Sequence, residues 1–133
     1  MKKVITFGVF DYFHYGHLRL FEQAKINGDY LIVAIQDEAY IRKYKPDAKI
    51  FYTNEQRNAL IRALRIVDET VFYTDVDVTI KEIDFDVFAV GEDQDHVGFQ
   101  NAIKYCEENQ KSVVRMMRTP GICSSEIKNH LLN

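Results

Sequence analysis

Val4-Ile5-Thr6-Phe7-Gly8-Val9-Phe10-Asp11-Tyr12-Phe13-His14-Tyr15-Gly16-His17 runs from a short strand pattern directly into a segment carrying two imidazoles three residues apart. In a parallel α/β sheet, a strand that turns into a helix in this way creates an anion site. The first N–H groups of the helix lack intrahelical partners and its N-terminus carries partial positive charge, so a phosphate arriving there meets backbone donors and both histidines together. Taken alone, the same spacing also fits an ordinary helix start with Gly16 between two histidines.

Outward from this stretch, short β-branched runs alternate with longer amphipathic ones. Val4 to Phe7, Tyr30 to Ile35, Thr70 to Tyr73, Val87 to Val90 and Val113 to Met116 are apolar on consecutive positions and bounded by polar residues or Gly, the pattern of strands buried on both faces. Between them Leu18, Leu20, Phe21, Ala24 and Ile26 fit a helix closing at Asn27-Gly28, and Asn54-Glu55-Gln56-Arg57 opens a second carrying Leu60, Ile61 and Leu64. Further helices are predicted from about His96 to Glu108 and from about Ser124 to Leu132, with a helical turn near Val78 to Ile83. Lys43 to Thr53 reads as the one long loop. Strands alternating with helices imply right-handed crossovers and an α/β fold, a Rossmann-like three-layer sandwich on a five-stranded parallel sheet. Ligands of such sheets bind beyond the carboxyl ends of the strands, where strand order reverses. The first motif, Gly91-Glu92-Asp93-Gln94 and Arg118-Thr119-Pro120-Gly121 follow strands one, four and five, and should therefore converge on one edge.

At 133 residues the chain fits one domain, 1–133, with a single core, and leaves no room for a separate substrate domain. A formal charge of −3 gives no excess of Lys and Arg for a polyanion, which excludes nucleic acid as the expected partner. No apolar run approaches membrane-spanning length and no apolar leader precedes the first strand, so a cytoplasmic protein without a membrane partner is expected. Cys106 and Cys123 lack metal-ligand spacing and are expected to be free thiols.

Gly8-Val9-Phe10-Asp11 with His14-Tyr15-Gly16-His17 resembles the G-x-F-D-x-x-H-x-G-H signature of the nucleotidyltransferase superfamily. Arg118-Thr119-Pro120-Gly121-Ile122-Cys123-Ser124-Ser125 resembles the R-T-x-G-I-S-[ST]-[ST] signature of its cytidylyltransferase branch. Segments between them keep the expected order, and the chain is most similar to the short bacterial glycerol-3-phosphate cytidylyltransferases. The resemblance implies transfer of a cytidylyl group from CTP to a phosphorylated alcohol, most simply glycerol 3-phosphate, with release of pyrophosphate. It further implies a homodimer, and Mg²⁺ bound mainly through the triphosphate, with no dedicated protein metal site, because that ion keeps several waters. Asp11 is a candidate inner or outer ligand.

The acceptor in this reaction is a phosphate monoester, already anionic at neutral pH, so no general base is required. Catalysis rests on positioning and on stabilising charge at the α-phosphate and the leaving pyrophosphate. By resemblance, His14, His17, Lys43 and Arg118 are the catalytic candidates. Gly8, Val9, Phe10, Asp11, Gly16, Lys45, Asp93, Thr119, Gly121, Ile122, Ser124 and Ser125 join His14, His17 and Arg118 around the nucleotide. Lys43, Arg57, Arg65 and Gln94 fall at the acceptor end. Arg57 and Arg65 also admit a structural reading, as ion-pair partners of Glu55 or Asp68. The charge of the two imidazoles stays open, since imidazole titrates near neutrality and neighbouring phosphates favour its cationic form.

Three residues depart from the family pattern: Cys123 stands where Ser is common, Pro120 where a polar residue is usual, and Gln94 where the glycerol-phosphate enzymes tend to have Trp. The last lies near the expected acceptor pocket and opens the choice of acceptor to ethanolamine phosphate, choline phosphate or another polyol phosphate. An ATP-using adenylyltransferase and a nucleotide-binding module without turnover are the competing classes. Tyr12, Phe13, Tyr15 and Tyr40 read as packing aromatics, and His96 and His130 as surface residues.

Overall fold

The computed structural model describes residues 1–132. Five strands, β1 (Lys3–Gly8), β2 (Tyr30–Gln36), β3 (Glu69–Tyr73), β4 (Val87–Gly91) and β5 (Ser112–Met116), form one parallel sheet in the order β3-β2-β1-β4-β5. Strand order reverses between β1 and β4, which opens the switch-point crevice above their C-terminal ends. Six α-helices surround the sheet among the described residues: α1 (Tyr15–Lys25), α2 (Glu38–Tyr44), α3 (Asn54–Arg62), α4 (Val76–Thr79), α5 (Val97–Glu108) and α6 (Ser124–Leu132).

Successive side chains leave the sheet on opposite faces, so consecutive apolar residues in a strand supply two cores. Ile5, Phe7, Ile32, Ala34, Phe88 and Val90 pack on one side against Val76 of α4 and Phe99, Ala102 and Cys106 of α5. Val4, Leu31, Val33, Ile35, Val87 and Ala89 pack on the other against Phe21 and Ala24 of α1 and Ile61 of α3. The three-layer sandwich follows from that alternation.

All five expected strands are present, each within one residue of its predicted ends. The element absent from the sequence reading is α2, and its presence corrects the Lys43-to-Thr53 loop: Lys43 lies in the last turn of a helix and the connection begins at Lys45. With seven residues and only Ile41 buried, this helix carries too little apolar periodicity to announce itself. Its signal is Asp37, whose side chain caps Ala39 N. The helical turn begins at Val76 rather than Val78 and ends in a 3-10 turn at Ile80–Glu82. Gly28 is required by close approach: a Cβ there would come within 2.5 Å of the Lys2 carbonyl oxygen, which accepts the amides of Asp29 and Tyr30.

Candidate active site

The loop after β1 turns sharply, with Phe10 at φ 58° and Tyr12 at φ 50°, both in the left-handed region that non-glycine residues seldom occupy. The turn drives the Phe10 ring inward, against Phe21 and edge-on to His17 with centroids 5.4 Å apart. Gly8 makes this possible, since a Cβ at that position would lie 2.6 Å from the Phe10 ring. Asp11 follows, buried, its two carboxylate oxygens accepting Phe51 N at 2.8 Å and Tyr52 N at 3.0 Å.

Helix α1 begins with a capping box built from two histidines. Gly16 N donates to His14 Nδ1 at 3.0 Å, and His14 N donates to His17 Nδ1 at 3.2 Å. The rings stack with centroids 3.8 Å apart, and Phe13 stacks on His17. Because each Nδ1 accepts, each neutral ring carries its proton on Nε2. Burial lowers the pKa of His14, and Arg118 lowers it further. Burial and the neighbouring His14 bring His17 down to about 3. Burial and neighbouring basic groups thus disfavour the charged form of both rings in the nucleotide-free protein, where each neutral ring offers an Nε2–H donor. Gly16 is small because a Cβ would lie 2.8 Å from the His14 ring.

The segments after β4 and β5 meet the first motif as expected. Arg118 N donates to Glu92 Oε1 at 2.8 Å, and its guanidinium lies 3.6 Å from Asp93 Oδ2. The left-handed Gly121, φ 82°, turns the chain into α6, where Cys123 O accepts Ile127 N. Ile122 lies beside Gly16, and Ser124 Oγ donates to the Asp11 carbonyl at 3.1 Å. Ser125 is exposed next to it, and Thr119 is half-buried in the turn. Lys43 Nζ sits 3.7 Å from Asp75 Oδ2, over the rings of Tyr40 and Tyr44, while Lys45 is exposed at the start of the loop. Tyr44 Oη donates to Asp75 Oδ1.

Four residues take positions other than those expected. Arg57 is fully buried: Nη1 donates to Val9 O at 2.9 Å and Gln36 O at 2.8 Å, and Nη2 to Asn54 Oδ1 at 2.5 Å. It ties the first loop to the end of β2 and is closed to an acceptor, and Glu55 is not its partner. Arg65 is exposed in the turn leading to β3, at the opposite edge of the sheet, where Asp68 accepts Leu31 N at 2.8 Å and pairs with Lys25 at 2.5 Å. Gln94 spends its amide on the sheet, Nε2 donating to Phe7 O at 2.8 Å and Oε1 accepting Gly91 N at 3.0 Å, which bridges β1 and β4 at the switch point. Asp11 has both carboxylate oxygens on backbone amides and does not fit a metal ligand. No group of three or more His, Cys, Asp or Glu among the described residues is placed to hold a metal ion.

Asn54 and Glu92 are the site residues that sequence reasoning passed over, whereas Tyr12, read as a packing aromatic, packs on Phe51. Asn54 Oδ1 accepts the Glu38 amide and Arg57 Nη2, and Glu92 Oε1 accepts the Arg118 amide, contacts that leave no sequence motif. His96, expected only at the surface, is exposed and also caps α5, its Nδ1 accepting Gly98 N at 3.2 Å.

A family model described as cytidylyltransferase-like matches residues 5–130. The chain belongs to this family. It is 38% identical over 135 residues to a glycerol-3-phosphate cytidylyltransferase of Bacillus spizizenii, covering 98% of each chain. It is also 43% identical over 96 residues to an FAD synthase of Ferroglobus placidus, covering 71% of this chain and 61% of that protein. Among solved structures, a lipopolysaccharide core biosynthesis protein from Thermoplasma volcanium superposes with a TM-score of 0.71 at 27% identity, covering 90% and 97% of the two chains. No helix among the described residues of this cytidylyltransferase-like chain is long and apolar enough to cross a membrane.

Proposed function

We propose that residues 1–133 act as one cytidylyltransferase domain that joins CTP to glycerol 3-phosphate, giving CDP-glycerol and pyrophosphate. The observation that carries this reading is the pair of stacked, neutral imidazoles at the switch point, facing a segment that offers Arg118 and the first turn of α6. Full-length similarity to a glycerol-3-phosphate cytidylyltransferase supports the choice of substrates.

An acceptor phosphate oxygen attacks the α-phosphorus in line, its P–O bond forming as the bond to the bridging α,β-oxygen breaks and pyrophosphate leaves. His14 and His17 donate through Nε2–H to the α-phosphate oxygens, where negative charge accumulates. Each ring in its neutral form supplies an oriented Nε2–H dipole, and a bound triphosphate shifts both toward the cation. Arg118, the amides from Gly121 to Ser125 and the Ser124 and Ser125 hydroxyls receive the β- and γ-phosphates. Gly8, Val9, Phe10, Asp11, Gly16 and Ile122 shape the nucleotide's floor, and Asp93 and Thr119 flank it. Lys45 draws in the triphosphate, and Lys43 leaves Asp75 to bind the acceptor phosphate. Mg²⁺ would be held mainly by the triphosphate rather than by side chains of this chain, and would neutralise part of its charge. The enzyme works as a cytoplasmic homodimer in the synthesis of a surface polysaccharide.

An adenylyltransferase is the second reading, favoured by the similarity to an FAD synthase. One assay separates them: incubation with each nucleoside triphosphate and Mg²⁺ against a panel of phosphorylated alcohols, following pyrophosphate. Release with CTP and glycerol 3-phosphate is expected. Release with ATP alone overturns the base assignment, and release with no pair overturns the enzyme.

A further inference from the structure

The dipeptide Asp11-Tyr12 touches two arms of the site at once, the 45–53 loop and α6. Its Asp11 carboxylate holds the amides of Phe51 and Tyr52, and its Asp11 carbonyl holds Ser124 Oγ. The half-buried Tyr12 ring packs on Phe51 with centroids 5.4 Å apart and receives Lys128 Nζ 5.0 Å from its centroid. Lys128 is four residues beyond Ser124, so both project from one face of α6. Tyr12 is kept at φ 50°, a conformation that persists in a bulky residue only where its surroundings hold it. One aromatic ring thus carries a stacking partner from the 45–53 loop and a cation–π partner from the last helix.

We propose that Tyr12 is a positioning residue that couples the 45–53 loop to α6, so that ordering either segment orders the other. Its consequence for catalysis rests on the nucleotide-binding reading above: Lys45 and the pair Ser124 and Ser125 would close on one triphosphate together. The coupling itself does not depend on that reading.

Hydrogen exchange on the intact chain without nucleotide tests it directly. Lys128→Met should speed exchange of the Phe51 and Tyr52 amides about threefold or more, and Phe51→Ala should do the same for peptides of 124–131. Lys128→Arg and Tyr12→Phe, which keep the cation and the ring, should match the parent. Phe51 is exposed and Lys128 half-buried, so both variants leave the core intact. Unchanged loop exchange in Lys128→Met overturns the proposal. In kinetics, Lys128→Met and Phe51→Ala should each raise KM for CTP about threefold, and the double variant should be no worse than the poorer single, because both act through one ring. Multiplicative effects overturn the coupling. Coupled exchange in a protein that releases no pyrophosphate from CTP would instead uphold the coupling and overturn the functional reading.

Discussion

His14 and His17 stack at 3.8 Å with 22° between ring planes, and each spends its Nδ1 on a backbone amide of the same turn. The motif is at once a helix cap and a pair of outward donors, and the two roles reside on different nitrogens. They can be separated by substitution. Asn places an acceptor near the Nδ1 position and is a good cap, yet offers nothing at Nε2. His14→Asn should therefore keep the melting temperature within a few degrees and lower kcat by about 10²–10³, the range for losing one preorganised donor. His14→Ala should lose the cap as well, at about 1 kcal/mol in urea unfolding. A His14→Asn variant with near-normal kcat would refute the donor role.

The depressed pKa values make a statement about stability. With the ordinary value at 6.5 and His17 folded near 3, the unfolded chain binds a proton that the folded one refuses. Stability is complete above about pH 6.5 and falls as the pH drops from there toward 3, by up to about 1.4 kcal/mol per pH unit for this group. His14 adds to the same slope, its pKa being shifted in the same direction. Urea midpoints for the parent and His17→Gln between pH 7.5 and 4.5 should converge as the pH falls. Parallel curves would show that His17 is not the group responsible.

Much of this was legible beforehand, for reasons specific to each residue. Val87-Phe88-Ala89-Val90 reads as a central strand because burial on both faces demands an unbroken apolar run, and all four residues are buried. The placement of His14 and Arg118 at the carboxyl edge of the sheet was legible because each follows its strand, β1 or β5, within a few residues. The roles of Arg57 and Gln94 were not, since what they do depends on carbonyls brought near from Val9, Gln36 and Phe7, distant in the chain. A buried arginine and a substrate-binding arginine are the same letter. Helix α2 was hidden by brevity, and the histidine cap by the rarity of His among capping residues.

Arg57 supports a stability prediction where the sequence suggested a substrate contact. Burial lowers its pKa, opposed by the nearby carboxylates of Asp11, Glu38 and Asp37. Removing the guanidinium would take away a donor from the Val9 and Gln36 carbonyls, while Asn54 Oδ1 would keep only the Glu38 amide. Arg57→Met should cost about 3 kcal/mol or more in urea unfolding. Because Val9 O leads into the histidine loop, kcat should fall as well, whereas KM for the acceptor should change less than twofold. A selective rise in acceptor KM with unchanged stability would restore the direct contact.

Lys43 and Asp75 give the last prediction. In this structure the ammonium rests 3.7 Å from Asp75 Oδ2, and a lysine that serves an acceptor phosphate must leave that carboxylate first. Both groups have solvent access, so the pair is worth no more than about 1 kcal/mol. Asp75→Asn removes the charge and keeps an oxygen to accept from Tyr44 Oη, which preserves the packing of α2. Acceptor KM should fall about two- to fivefold, with kcat at saturating CTP nearly unchanged, and the gain should shrink as salt is raised. Lys43→Met should move acceptor KM the opposite way by tenfold or more. If Asp75→Asn instead raises acceptor KM, Asp75 orients Lys43 for the acceptor and does not compete for it.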